Sequence, residues 1–248
     1  MLILPIVAAA ISLFFHLRFL SGTFWFLIVP SLYLSWRNPK LIQKPLAFSL
    51  LFGLTTGIII DYIMEATNSW GFPTPILGDL RLFGVINFEP LLWWPPFYYL
   101  NIITYKHFYD HAIVRKNSHQ KYFVALMLGA LAIFTVLIMA KPELLLTNFF
   151  YLKICIFLAV VPTMLVIAIH PLLIRKFALI GTYFFFFSFL YEMTGLALHH
   201  WSFPDHNQFI GLVTVGQLHF PVEELFAWIV FGAPGTLAYF EFFSDDEK

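Results

Sequence analysis

Phe220-Pro221-Val222-Glu223-Glu224-Leu225-Phe226-Ala227-Trp228 is the stretch on which the reading of this chain turns. Two adjacent carboxylates follow a proline and open an apolar run that continues to Tyr239. Proline suits the first turn of a helix, where its missing N–H is no loss, and acids there complement the positive end of the helix dipole. Carboxylates at the mouth of a membrane helix are costly to bury, and so mark a functional site unless they merely decorate a solvated helix start.

The remainder of the chain supplies the membrane context. Of its 248 residues 60% are hydrophobic, 20% aromatic and 11% charged, more apolar surface than a soluble domain of this length can hide. Hydropathy marks eight candidate spans, with the first the shortest: 2–15, 19–36, 45–66, 86–105, 123–140, 149–170, 177–198 and 221–242. The expected fold is all-α, a polytopic membrane bundle of seven or eight helices in a single domain over 1–248. The N-terminal stretch has no Lys or Arg before its apolar run and no small-residue cleavage site, so it reads as a retained helix. Placing the N-terminus in the cytoplasm puts Arg37, Lys40, Lys44, Lys106, Arg115, Lys116, Lys121, Arg175, Lys176 and Lys248 inside. Only Arg18, Arg81 and Lys141 then lie outside, a positive-inside bias that sets both termini in the cytoplasm, of a bacterial or archaeal membrane. Net charge is zero and no basic patch points to nucleic acid; the single Cys155 excludes an internal disulfide.

The two long outer loops resemble one another. One reads Asp61…Trp70-Gly71-Phe72…Gly84…Phe88-Glu89-Pro90, the other Glu192…Trp201-Ser202-Phe203…Gly216…Phe220-Pro221-Val222-Glu223. An acid nine residues before Trp-x-Phe recurs at an offset of 131–132, which predicts two parallel repeats of about four helices, roughly 1–120 and 121–248.

Asp61, Glu65, Glu89, Glu192, Glu223 and Glu224 gather at the outer ends of the expected helices. So many acids with few bases beside them cannot all ionise in an apolar cavity, and a neutral acid next to an ionised one is the arrangement that acid–base chemistry uses. Adjacent Glu223 and Glu224 lie about 100° apart on a helix, so one of them faces the bundle. Glu65, Glu224 and Glu241 read more readily as solvated helix ends than do Asp61, Glu192 and Glu223, and Asp110 and His111 read as solvated loop residues. Aromatics crowd the acids: Trp70, Phe88, Trp93, Trp94, Phe97, Trp201, Phe203, Phe220, Phe226 and Trp228. Many belong to an interfacial belt, but ring faces also suit a carbocation. His199, His200, His206 and His219 match no ligand spacing and read as interface histidines, so no metal is expected. There is no dinucleotide fingerprint, no nucleophile elbow, no Asp-rich magnesium motif beyond the polar Asp245-Asp246 tail, and no lysine inside the last helix for a retinal Schiff base.

At Phe-Pro-Val-Glu-Glu-Leu-Phe, with Glu192 and Trp201 upstream, the chain resembles the membrane-integral lycopene cyclases, the heterodimeric bacterial type and the cyclase half of fungal bifunctional carotenoid enzymes. The second copy fits their Pro-x-Glu-Glu signature, whereas the first gives Phe88-Glu89-Pro90-Leu91. The resemblance implies redox-neutral, proton-initiated cyclisation of a carotenoid end group through a carbocation, with no flavin or other cofactor. It implies Glu223 as the acid, Asp61, Glu192 or Glu89 as stabiliser and base, Glu224 beside them, and Trp70, Trp94, Trp201, Phe88, Phe220 and Pro221 around a lipophilic polyene drawn from the bilayer. Self-association or contact with other carotenoid enzymes stays open. Two other readings stand beside this one: a related membrane polyprenoid or terpene cyclase or hydratase, and a proton-coupled carrier that uses the acids as a relay.

Overall fold

The structure, a computed structural model, describes residues 1–73, 75–78, 80–110 and 120–244. His111, Arg115, Lys116, Asp245, Asp246 and Lys248 lie outside the described residues. The chain is mostly helical: α1 (Ile3–Phe14), α2 (Phe19–Arg37), α3 (Gln43–Ala66), α4 (Trp94–Phe108), α5 (Gln120–Ala140), α6 (Phe150–Ile169), α7 (Leu173–Ala197) and α8, which comprises Val222–Val230 and Gly232–Ser244 bent by 49°. Two antiparallel hairpins complete it: β1 (Arg81–Leu82) with β2 (Ile86–Asn87), and β3 (Leu212–Val215) with β4 (Leu218–Pro221).

Five of the described helices, α2, α3, α5, α6 and α7, are long and apolar enough to cross a membrane, and bent α8 makes six if it counts as one span. α1 and α4 have 12 and 15 residues, about 18 and 22 Å at 1.5 Å per residue, against a hydrocarbon core of about 30 Å. The expected spans from Ile86 and Pro221 begin too early. Ile86 and Asn87 pair with Leu82 and Arg81, and Pro221 pairs with Leu212, so hairpin hydrogen bonds take residues that hydropathy assigns to helix. A short helical turn, Phe88–Leu91, then precedes α4.

Prolines shape the helices. Pro30, Pro162 and Pro234 each lie just beyond a π-helical segment: Phe24–Ile28, Cys155–Val160 and Leu225–Val230. A proline inside a helix clashes with the carbonyl four residues back, and a wider π turn at that point removes the clash. α1, α3 and α7 end alike, on His16, Asn68 and His199 in the left-handed region. The amide that follows each closes back onto the helix: Leu17 N to Ser12 O (2.9 Å), Ser69 N to Met64 O (2.9 Å) and His200 N to Gly195 O (2.8 Å).

α4 is the shaft of the bundle, with every residue from Phe97 to Lys106 buried, whereas α5 is largely exposed along its apolar length. The two outer loops meet. Gly71 and Ser202, the middle residues of the two Trp-x-Phe triplets, form an antiparallel bridge, N to O at 2.8 Å one way and 2.9 Å the other.

At the other end of the bundle Asp110 is not solvated as expected. Its carboxylate, 14% exposed, lies 2.8 Å from Lys106 Nζ and 3.2 Å from Lys176 Nζ. Burial pushes its pKa up, but the hydrogen bonds and charges of Lys106 and Lys176 outweigh that and hold it below the usual carboxylate value. Glu241 is likewise buried, and it accepts a hydrogen bond from Tyr105 Oη.

Candidate functional site

A cavity sits at the end of the bundle that carries the two hairpins, between the helices that precede and follow the long loops. Its cavity volume is about 90 Å³, room for a small group rather than for a whole ligand of drug size. Three carboxyl groups line it: Asp61 from α3, Glu192 from α7 and Glu224 from the first turn of α8. All three are buried, and no Lys or Arg is among the lining residues.

The three acids are held by two kinds of donor. Trp94 Nε1 donates to Asp61 Oδ2 at 3.0 Å, Trp201 Nε1 donates to Glu192 Oε1 at 3.0 Å, and Tyr151 Oη donates to Glu224 Oε2. Each indole reaches its acid by lying flat on a glycine near that acid on the same helix. A Cβ on Gly57 would stand 2.4 Å from Trp94, and one on Gly195 would stand 2.1 Å from Trp201. No side chain fits at either position while the indole stays where it is.

The walls are aromatic. Trp93 stacks on Phe97 with centroids 4.5 Å apart, Trp94 meets Trp228 edge to face at 5.0 Å, and Tyr191 meets Trp201 at 5.5 Å. Such ring pairs fix one another, and their π faces present partial negative charge to the enclosed space.

The structure separates the adjacent glutamates. Glu224 lines the cavity; Glu223 does not. Glu223 Oε1 instead accepts from Ile210 N at 2.8 Å, thirteen residues upstream, and Glu89 Oε1 accepts from Ile76 N, also thirteen upstream, and from Leu77 N at 2.6 Å. Both glutamates are thus anchors that pin the outer loops to the start of the helix that follows. Each has its second oxygen, Oε2, buried without a partner among the described residues.

Of the expected wall, Trp70, Trp94 and Trp201 line the cavity. Phe88 is exposed, Phe220 is buried in the core, and Pro221 caps the first turn of α8, none of them on the cavity. Glu224 and Glu65 are not solvated helix ends: Glu224 is 9% exposed, and Glu65 accepts from Asn87 N (3.0 Å) and Asn87 Nδ2 (2.8 Å). Tyr151, Tyr191, Phe19 and Ser188 are among the lining residues that the sequence did not point to. The offset of the loops could have found Tyr151, since it stands 132 residues after Phe19, another lining residue.

Of the four histidines singled out in the second loop, His200 is buried, and its Nε2 carries a proton that it donates to Leu17 O at 2.8 Å. Burial lowers its pKa, and the Leu17 contact opposes this. Among the described residues no group of three His, Cys, Asp or Glu side chains is placed to hold a metal ion.

Chemically, the cavity can hold one apolar group against three acids that share too little positive charge to ionise together, inside walls suited to a cation. No family model matches the chain, and no curated protein and no solved structure is found similar to it.

Proposed function

We propose that this chain is an integral membrane enzyme that closes a ring at the end of a long polyene of the lycopene type, without redox change. The observation that carries the reading is one apolar, aromatic-walled cavity holding Asp61, Glu192 and Glu224 with no base among its lining. In this reading Glu224, not Glu223, is the acid, because it is the glutamate that opens on the cavity. Tyr151 occupies Glu224 Oε2, which leaves Oε1 to carry the proton. That proton passes to a terminal double bond of the substrate; the tertiary cation is attacked by a neighbouring double bond, and a six-membered ring forms. The ring cation lies among Trp94, Trp228 and Trp201, and a carboxylate then removes one proton to restore the double bond. Each indole takes one oxygen of its acid, Asp61 Oδ2 and Glu192 Oε1, which leaves the other oxygen of each to receive that proton. One proton enters and one leaves, so neither cofactor nor metal is required.

The same proposal takes the chain as two copies of a four-helix unit, α1–α4 and α5–α8, in an eight-helix bundle. Both orders run helix, helix with a π turn before Val-Pro, long helix, hairpin, broken helix. A contact between equivalent residues, as at Gly71 and Ser202, is what a twofold relation produces on its axis.

The test is expression in a bacterium that accumulates lycopene, with pigments separated by chromatography. Cyclised pigment from the native chain and none from Glu224→Gln is the expected result. Unchanged lycopene beside a folded, membrane-inserted native protein would overturn lycopene as substrate.

A further inference from the structure

We infer that the first hairpin, with the segment leading into it, is a lip embedded in the outer leaflet of the membrane, in contact with lipid acyl chains rather than with water. The inference rests on the membrane placement of the bundle and not on the cyclase chemistry. Its first support is depth. Leu82, Val85 and Ile86 of the hairpin share one apolar cluster with Ile58, Ile59, Tyr62 and Ile63 of α3 and with Phe134, Leu137 and Ile138 of α5. Asn87 of the hairpin donates from its N and Nδ2 to Glu65, in the last turn of α3. The hairpin therefore packs beside the last turn of that span.

The second support is the face turned away from that cluster. Ile76, Leu77, Leu80 and Phe83 are all exposed, Leu80 at 57% and Phe83 at 42%. Ile133 and Val136 of α5, a helix that shares the apolar cluster beneath the hairpin, are exposed as well. In water such a patch forgoes about 25 cal/mol for every Å² left unburied. Against acyl chains it forgoes nothing.

The third is the turn itself. Phe83 and Gly84 have φ of 52° and 71°, and Val85 N closes on Leu82 O at 3.2 Å. Such turns favour Asn-Gly, and a bulky residue in the left-handed region costs on the order of 1 kcal/mol. Here the strained position carries a phenyl ring that points away from the protein. Arg81, half-exposed, keeps its guanidinium at the rim, 3.0 Å from Val85 O and 3.8 Å from Glu65, where a cation meets headgroups. The second hairpin is mixed: Leu212 and Val215 are exposed on it beside polar Thr214, Gln217 and His219, with Thr214 Oγ1 bonded to His219 Nδ1. Glu89, which pins Ile76 and Leu77, is followed by Pro90, a cavity residue, so the lip adjoins the site.

Cys155 is the one native cysteine and is buried, so single labels are practical. In a Cys155→Ala background, spin labels go at Leu80→Cys and Phe83→Cys, with Leu54→Cys on the exposed face of α3 as the lipid reference and Asn207→Cys in the second loop as the aqueous one. In liposomes, power saturation with oxygen and with a water-soluble nickel chelate reads depth. Oxygen-dominated relaxation at 80 and 83, matching 54 and exceeding 207, is expected. Nickel-dominated relaxation at 80 and 83 overturns the lip, as does shielding from both reagents, the mark of a protein partner. Nickel-dominated relaxation at 54 as well would overturn the membrane placement and the lip with it.

Discussion

The two sides of the cavity carry equivalent positions and unequal chemistry. Asp61 and Glu192 stand 131 residues apart, as do Trp70 and Trp201, and all four line the cavity. Glu89 and Glu223 stand 134 apart and both hold a loop amide thirteen residues upstream. At offsets of 134, 132 and 131 the counterparts differ: Pro90 against Glu224, Phe19 against Tyr151, buried Ser69 against buried His200. What is shared builds the frame, namely anchored loops and an acid on each long helix. At the two differing pairs that line the cavity the polar member is on one side only, which gives a single cavity a direction: one side offers a tyrosine-held acid, and Phe19 and Pro90 on the other offer only hydrocarbon.

The largest effect should come from removing that asymmetry at its centre. Glu224→Gln should lower product formation in the lycopene assay by about 10²- to 10⁴-fold, the span of general acid catalysis, while Glu223→Gln, off the cavity, retains far more turnover. Comparable losses from both would break the distinction between acid and anchor. Next in size are Gly57→Ala and Gly195→Ala, one on each side. Each should cost about 1–3 kcal/mol by overpacking and change tryptophan emission, whereas Gly129→Ala, with open space around it, should change neither. Thermal unfolding in detergent, followed by fluorescence, reads all three. Tyr151→Phe, which copies Phe19, should reduce turnover about tenfold with the melting temperature little changed, since one hydrogen bond to the acid is lost and the ring stays. Unaltered kinetics would remove Tyr151 from the mechanism.

The smallest effect concerns pH. His200 has a folded pKa below its unfolded value near 6.5, so the unfolded chain takes up the proton first, and the ring's share of stability is whole above that pH and declines as pH falls below it. Melting temperature should therefore drop between pH 7.5 and 5.5, and His200→Ser, which copies Ser69, should flatten that slope. A slope unchanged in His200→Ser would assign the pH dependence to other groups.

How far the sequence reached depends on what each feature requires. Long apolar runs identify α2, α3, α5, α6 and α7 because each is legible without its neighbours. The Trp-x-Phe triplets were visible as repeats, but not that Gly71 and Ser202 pair, since main-chain contact leaves no composition. The choice between Glu223 and Glu224 depends on where helix geometry begins after β4, and a shift of one residue turns the face by about 100°. Hydropathy starts that helix at Pro221, whereas the hairpin claims Pro221 as a strand residue and fixes the phase. Asp110 read as solvated because its partners, Lys106 and Lys176, stand on different helices, and the second of these is brought to it only by folding.

The bridge between Gly71 and Ser202 is made by amides and carbonyls, and the side chain it restricts is that of position 71, where a Cβ would stand 3.1 Å from Ser202 Oγ. In the two-copy arrangement proposed above, the rest of each half can differ, as Phe19 and Tyr151 do, while that fastening is kept. It also makes the covalent connection dispensable as a source of specificity. Two polypeptides, ending at Asp110 and beginning at Gln120, would carry matching main-chain strips, and co-expression should return them as one assembly that co-purifies through a tag on either piece.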